Sequence, residues 1–510
     1  MSNVRRGVAW TSFGSLASLV LLFLETAIAA RLLPTDEYGA YVLLVAVANA
    51  GLAFLDFGMK ATATQLIATG DPERRQRVAR AAFGFRLFVL GATAALGWAV
   101  VAGAAALGVS LPGEYLVYAP LMFAAASLDE LMFSLLQGYQ LYRPIAVAQT
   151  IRAVGRLGLT GALLAVFHLG PLALVAAWCV SYAASSAWQY RALPERPTPT
   201  FERPVLREML GFGAPIQVTR ILSFVANRAH VFLLGGLAGP AAAAFYGVAA
   251  RIPDALQVVA DSYTRVYFPT VASLLARGQK SRASEVLAAS ITLGSFGGAA
   301  VALFGVLFSR EIVTIVFSAK YADAAPTFGL LMLAWQSGSV LALMGWSLTA
   351  VGRPGRSALA DVVCAVVTVV ADLTLIPLAG VAGAGLAALL SDYAGFPVSI
   401  HWLRRERLDP AAAAQARAAL ALALCVGLYW WTGTDSLVAR AALLALFGAF
   451  ALASSRRYIS TIFPISTSAF NTPAAARAAR RISAIRSGVS ALRVAATARG
   501  SKLGAETPMP

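Results

Sequence analysis

Charge is scarce in this chain. Asp, Glu, Lys and Arg make up 13% of its 510 residues, whereas a soluble domain carries about 25%. So little charge cannot solvate the surface of a globule this long, which excludes an ordinary soluble protein. Cysteine and histidine are scarcer still, at three each. Cys179, Cys364 and Cys425 sit far apart inside apolar runs, and His168, His230 and His401 stand alone. That excludes a disulfide framework and a His/Cys metal site. The chain also lacks a GxxxxGK[ST] phosphate loop and an HExxH pair. The stretches between apolar runs reach only about twenty residues, too short for an ATPase or a catalytic domain. No cofactor is implied, and the chain reads as a non-enzyme.

Acid is the scarcer sign, with 24 Asp and Glu against 41 Lys and Arg, a net charge of +17. The arginines are not gathered into one basic domain. They recur in short clusters between apolar runs, a pattern set by a membrane and not by a nucleic acid. What the chain has in abundance is apolar sequence: 59% hydrophobic residues and a mean hydropathy of +0.71. About fourteen apolar segments can be marked, with cores at 10–30, 39–59, 81–107, 116–137, 147–168, 170–190, 209–236, 242–267, 287–309, 325–349, 357–378, 381–402, 414–431 and 438–454. Most can cross a hydrocarbon layer of about 30 Å as a helix. The expected fold is all-α and polytopic, with about fourteen transmembrane helices. The basic start and small residues near Ala27 to Ala30 imitate a signal peptide, but Glu25 interrupts the apolar region and many spans follow, so a retained first helix is expected.

Four prolines in "RALPERPTPTFERPVLRE" resist regular structure and divide the segments. The expected organisation is a six-helix lobe at 1–190, a cytoplasmic linker at 191–208, a second six-helix lobe at 209–403, two further helices at 404–454, and a basic cytoplasmic tail at 455–510. Paired six-helix bundles with a site between them near the midplane are a common transporter plan. In the tail, Ile482, Ile485, Val489 and Leu492 share one helical face flanked by arginines, as in a helix lying on anionic phospholipids.

Alternating loops give the orientation. One set holds Arg74, Arg75, Arg77 and Arg80, Arg143, Arg191 to Arg207, Arg277 to Arg282, Arg353 and Arg356, Arg404 to Arg407, and Arg456 and Arg457. The other holds only Arg31, Arg310, Lys320 and Arg440. The asymmetry puts both termini in the cytoplasm.

Charged residues also stand inside the spans. Glu25, Asp56, Arg86, Asp129, Glu130, Arg220, Arg228, Asp254, Asp261, Asp361, Asp372 and Asp392 are the clearest. An unpaired ion at a helix centre costs about 2.5–3.5 kcal/mol on insertion scales. These groups must face one another, water, or an ionic substrate. Lys60, Arg143, Arg152 and Arg156 lie nearer the cytoplasmic face and are placed to snorkel. Arg220 and Arg228 are eight residues apart and can face one cavity, as can Asp254 and Asp261, seven apart. Arg86, Arg220, Arg228 and Arg251 are the candidate substrate-binding residues, since arginine gives fixed donors for phosphate or pyrophosphate. Glu25, Asp56, Asp372 and Asp392 are the candidates for ion coupling, with proton and sodium both open. For each residue, an interhelical salt bridge is the alternative.

"ARLLPTDEYGAYVLLVAVANAGLAFLDFGMKATATQLIA", Ala30 to Ala68, resembles the N-terminal signature of the polysaccharide transporter family. These are Wzx-type oligosaccharide-lipid flippases of the multidrug/oligosaccharidyl-lipid/polysaccharide exporter superfamily. The resembling elements are Asp36-Glu37-Tyr38-Gly39 and Asp56-Phe57-Gly58. "FLLGGLAGPAAAAFYGVAARI", "RVYFPTVASL", "FSAKYADAAPTFGLLML" and the Gly352-Arg353 region continue the likeness in order, from about Gly7 to Arg404. The chain departs from the pattern at Asn227-Arg228, where relatives often carry an aspartate. The resemblance implies an inner-membrane flippase whose lobes rock around a glycan on an undecaprenyl pyrophosphate carrier. Its partners would be the lipid-linked oligosaccharide and the polymerase and glycosyltransferases of its pathway. A lipid II flippase, a cation-coupled multidrug exporter and a non-transporting accessory protein of an assembly complex remain as alternatives.

The loop alternation is open to direct test. Single cysteines at Thr198 and Lys280 should react with an impermeant thiol reagent only from the cytoplasmic side, and one at Asp323 only from outside. External labelling at Thr198 would break the helix count.

Overall fold

The computed structural model describes residues 2–106, 116–433 and 436–462. Among these there is no strand, and the chain is a bundle of long helices. The first half contains α1 (Ser2–Leu32), α2 (Thr35–Phe54), α3 (Met59–Thr69), α4 (Pro72–Ala106), α5 (Ala119–Gly138), α6 (Tyr142–Ala165) and α7 (Pro171–Ala192). After residues 193–202 come α8 (Arg203–Ala276), α9 (Lys280–Leu307), α10 (Ser309–Val316), α11 (Ala325–Ala350), α12 (Pro354–Arg405), α13 (Ala412–Thr432) and α14 (Leu437–Ile462). The expected tail helix at 482–492 lies outside the described residues.

Two helices are hairpins in disguise. At Gly239 the backbone of α8 leaves the helical region (φ 85°, ψ 176°). Only glycine takes that conformation without strain, and Pro240 then restarts the helix with its fixed φ and missing N–H. Arg228 on one side of the break reaches Asp254 on the other at 3.4 Å, so the two arms run antiparallel. Gly380 does the same for α12 (φ 56°, ψ −131°). There Thr368 bonds Ser391 at 2.9 Å, and Ser391 donates to the Cys364 carbonyl at 2.9 Å. Ten of the described helices are long and apolar enough to cross a membrane. The two hairpins raise the crossings to twelve, and α1 and α6, at 31 and 24 residues, are long enough to complete fourteen.

The surface is that of a protein in lipid. Leu378, Trp431 and Val438 are 82%, 85% and 78% exposed, a cost that water would impose and hydrocarbon does not. The interior is built largely from small residues. Ala29, Ala30, Ala48, Ala243, Ala244 and Ala249 are fully enclosed, which lets helix backbones approach closely where no hydrophobic force draws them together. One core cluster joins the halves, with Tyr38, Tyr41 and Leu44 of α2 packed among Ala243, Val248, Phe317 and Tyr321.

The link between the halves is shorter than the sequence implies. α7 continues to Ala192, and α8 starts at Arg203 with Pro204 in its first turn, a position that tolerates proline. The link runs along α4: the Thr200 N–H reaches the Arg80 carbonyl at 3.4 Å, and Phe201 meets Phe88 edge-on. Three short elements were not legible in the sequence: α3, α10, and a 3-10 turn at Ala319–Ala324.

Gly39 marks the tightest contact between the halves. A Cβ there would lie 1.9 Å from the Pro240 carbonyl oxygen. Gly39→Ala should therefore lower thermal stability in detergent by about 1–3 kcal/mol, as overpacked sites do. Gly91→Ala, whose added methyl meets nothing within 4 Å, should leave it unchanged or slightly raised.

Candidate functional site

The charges carried into the spans settle into a small number of clusters. The first forms where α2 breaks. Residues Leu55–Gly58 leave the helix, with Phe57 and Gly58 in the left-handed region (φ 53° and 71°). The break presents Asp56, 1% exposed, to two guanidiniums. Arg86 Nη2 lies 2.6 Å from Oδ1, and Arg220 Nη1 lies 3.1 Å from Oδ2. Arg86 also donates to Ser127 Oγ at 3.0 Å. Arg220 and Lys60 both reach Glu130, at 3.3 and 3.4 Å. Two carboxylates thus face three cations, drawn from α3, α4, α5 and α8.

The second cluster surrounds Glu25 on α1. Arg156 of α6 pairs with it at 2.6 Å and also donates to the Tyr41 hydroxyl at 3.1 Å. Thr160 donates to the other carboxylate oxygen at 3.4 Å, and the guanidinium lies over the Trp178 ring, 4.6 Å from its centroid. In the third cluster, Asp129 of α5 takes Arg152 at 2.5 Å, Ser185 at 2.5 Å and Gln189 at 2.6 Å. Arg152 and Arg156 therefore do not snorkel to the membrane surface: a buried carboxylate stands within reach of each, and pairing there removes an ion from the hydrocarbon altogether.

Near the start of α2 the balance changes. Arg251, on the second arm of α8, makes no salt bridge with any described carboxylate. Its neighbours are Tyr38, Asp254, Tyr41 and Glu25, and its Nε is enclosed without a hydrogen-bond partner. Arg228 pairs with Asp254, but the two side chains are 46% and 42% exposed. Along the first arm of α8, then, the cations pass from Arg220, 30% exposed, to the open Arg228. Asp261 is exposed and accepts from Gln257 of its own helix, so it does not join Asp254 at one site.

The remaining candidates lie in the second half. Asp372, fully buried, bonds His230 Nδ1 at 2.8 Å through one oxygen, while its second oxygen has no partner. Asp392 accepts from Ser337 at 2.9 Å and has no cation against it. Among the described residues no group of three or more His, Cys, Asp or Glu is placed to hold a metal.

The eight candidates thus part company. Arg220 and Arg86 meet at Asp56, Arg228 and Arg251 meet near Asp254, and Glu25 is closed off by Arg156. Cavities of about 510 and 440 Å³ lie on α12, one against His401, Arg404 and Arg405, the other against Val366, Val370 and Leu375. Neither is lined by Arg86, Arg220, Arg228 or Arg251. Sequence reading missed the neutral partners Tyr41, Gln189 and Gln217. Gln217 and Gln189 carried a signal, as lone amides in apolar helices; Tyr41 carried none.

Comparison with known proteins follows the same lines. A family described as polysaccharide biosynthesis protein matches residues 28–326. A Haloferax volcanii protein named probable low-salt glycan biosynthesis flippase Agl15 is 26% identical over 297 residues, 58% of this chain and 62% of the relative, so the match spans less than two thirds of the relative's length. The lipid II flippase MurJ in an inward closed conformation superposes with a TM-score of 0.64 at 12% identity, covering 87% of this chain and 98% of that one. An inward-facing multidrug resistance MATE family transporter of the MOP superfamily gives 0.59 at 15% identity, covering 80% and 96%. These two likenesses establish the fold, all-α and polytopic as the composition implies. With more than half of its length matched, the chain belongs to the polysaccharide biosynthesis protein family.

Proposed function

We propose that the protein is a flippase that moves a lipid-linked oligosaccharide across the cytoplasmic membrane by alternating access. In this reading residues 1–192 and 203–403 are the two lobes, 193–202 links them, 404–454 adds two helices, and the tail from 455 and both termini are cytoplasmic. The substrate is a polysaccharide repeat unit on a polyprenyl pyrophosphate, and the partners are the enzymes that build and polymerise it. The family and the name of the haloarchaeal relative support this. The observation that carries it is Arg251, a guanidinium between α2 and α8 with no carboxylate paired to it and an enclosed Nε without a partner. A guanidinium held by no direct salt bridge, which shares the surroundings of Asp254 with the half-exposed Arg228, favours an anionic headgroup and disfavours the cationic cargo of a multidrug exporter.

Arg86 belongs to the framework in this reading, since it is 2% exposed and holds Asp56 and Ser127. Glu25 and Asp56 are each neutralised by an arginine, which leaves Asp372 and Asp392 as the carboxylates for ion coupling.

Liposomes holding the full-length protein and a lipid-linked oligosaccharide test both points. Losing a charge-assisted hydrogen bond of about 1.5–3 kcal/mol should slow flipping roughly ten- to a hundredfold in Arg251→Gln. Unchanged flipping in an Arg228→Gln, Arg251→Gln double variant would remove the headgroup site. Flipping by the intact protein should respond to an imposed proton or sodium gradient, and Asp372→Asn should lose that response. Gradient-blind flipping would mean a facilitator driven by removal of product.

A further inference from the structure

The two halves touch at both ends of α2, and the contacts share one chemistry. An α-helix leaves its last four carbonyls without intrahelical donors, and a cation or an amide from another helix can supply them. At the start of α2, α1 ends at Leu32 and α10 ends at Val316. Arg31 of α1 donates through Nε to the Val316 carbonyl at 2.9 Å, and through Nη2 to the Ile315 carbonyl. Lys320, just beyond α10, returns the contact, donating to the carbonyls of Arg31 at 3.3 Å and Leu33 at 2.5 Å. Each half thus sets a cation on the negative end of a helix in the other. Tyr38 and Tyr321 pack edge-on beside them, their centroids 6.3 Å apart.

At the far end of α2, about 30 Å away by helical rise, one neutral side chain has the same task. Gln217 of α8 donates to the Ala53 and Phe54 carbonyls at 2.6 and 3.1 Å, the last of α2. Its own oxygen accepts the Gly58 N–H, just before α3, at 3.0 Å. One amide therefore closes both sides of the break. Gly58 and Gly213 make room for it: a Cβ on either would lie 2.3–2.6 Å from backbone atoms of the other segment. Asp56 and Arg220 add a charged contact one turn along.

We propose that these two sets of cross-half helix caps are the closures of the path between the halves, and that each face opens by uncapping the helix ends it holds. They also give a purpose to the exceptions in the charge asymmetry. Arg31 and Lys320, two of the few cations in the sparse set of loops, sit on helix ends of the opposite half. With both sets engaged, the protein is closed at both faces. The role rests on the transport reading, so the test measures distance and not transport.

Cys179, Cys364 and Cys425 are first replaced by alanine, and spin labels are placed in pairs at Asp36 and Asp323, for one face, and at Gln65 and Arg207, for the other. In liposomes, the double variant Arg31→Gln, Lys320→Gln should shift the 36–323 distances longer and leave 65–207 unchanged. Gln217→Ala should do the reverse. Gln217→Glu, which keeps the volume and the acceptor for Gly58 but loses the donor, should match Gln217→Ala. Arg31 and the Lys320 side chain lie at the exposed surface, so their loss does not threaten folding. Unchanged distances at the face whose caps are removed, or both faces widening together, would overturn the proposal. Distances that respond in a protein that flips no glycan would refute the flippase reading and leave the two closures standing.

Discussion

A charge inside a membrane must find its opposite within the reach of its own side chain, because no water will come to it. The first half of this protein is organised by that requirement. Glu25 ties α1 to α6 through Arg156, and Asp129 ties α5 to α6 and α7 through Arg152, Ser185 and Gln189. Asp56 ties the end of α2 to α4 and α8. Such pairs add little net stability when complete, yet removing one partner leaves an ion stranded at a cost of about 3–5 kcal/mol. They therefore specify which helices are neighbours more than they hold them together.

The second half follows a different rule. Its buried carboxylates meet a histidine or a hydroxyl in place of an arginine: His230 for Asp372, Ser337 for Asp392. The structure thus separates carboxylates paired to guanidinium from carboxylates held by an imidazole or a hydroxyl, with Arg228 and Arg251 on the two arms of the α8 hairpin.

The backbone imposes a parallel constraint. Wherever a helix stops within the bundle, its orphan carbonyls need donors. The chain supplies them across the boundary between the halves: Gln217 for α2, Arg31 for α10 and Lys320 for α1. The same polar groups that make these breaks tolerable also make the contact between halves specific, beside the core cluster in which Tyr38 packs on Tyr321.

Much was legible in the residues themselves. Charge scarcity and hydropathy determined an all-α membrane protein, and the spacing of apolar runs marked its crossings, because lipid permits few other ways to bury a backbone. The turns at Gly239-Pro240 and Gly380 fell between marked segments for the same reason: glycine and proline are local signals. The charged residues could be named from the sequence, since an ion in an apolar run stands out wherever it points. Their partners could not. Arg156 looked like an interfacial anchor until α1 brought Glu25 to it, 131 residues away in the chain. Nothing local to Gln217 says that the broken end of α2, more than 160 residues away in the chain, lies against it. Pairing is a matter of distance between helices far apart in sequence, and only the tertiary packing decides which arginine closes on a carboxylate, as Arg156 does on Glu25, and which, like Arg251, makes no direct salt bridge.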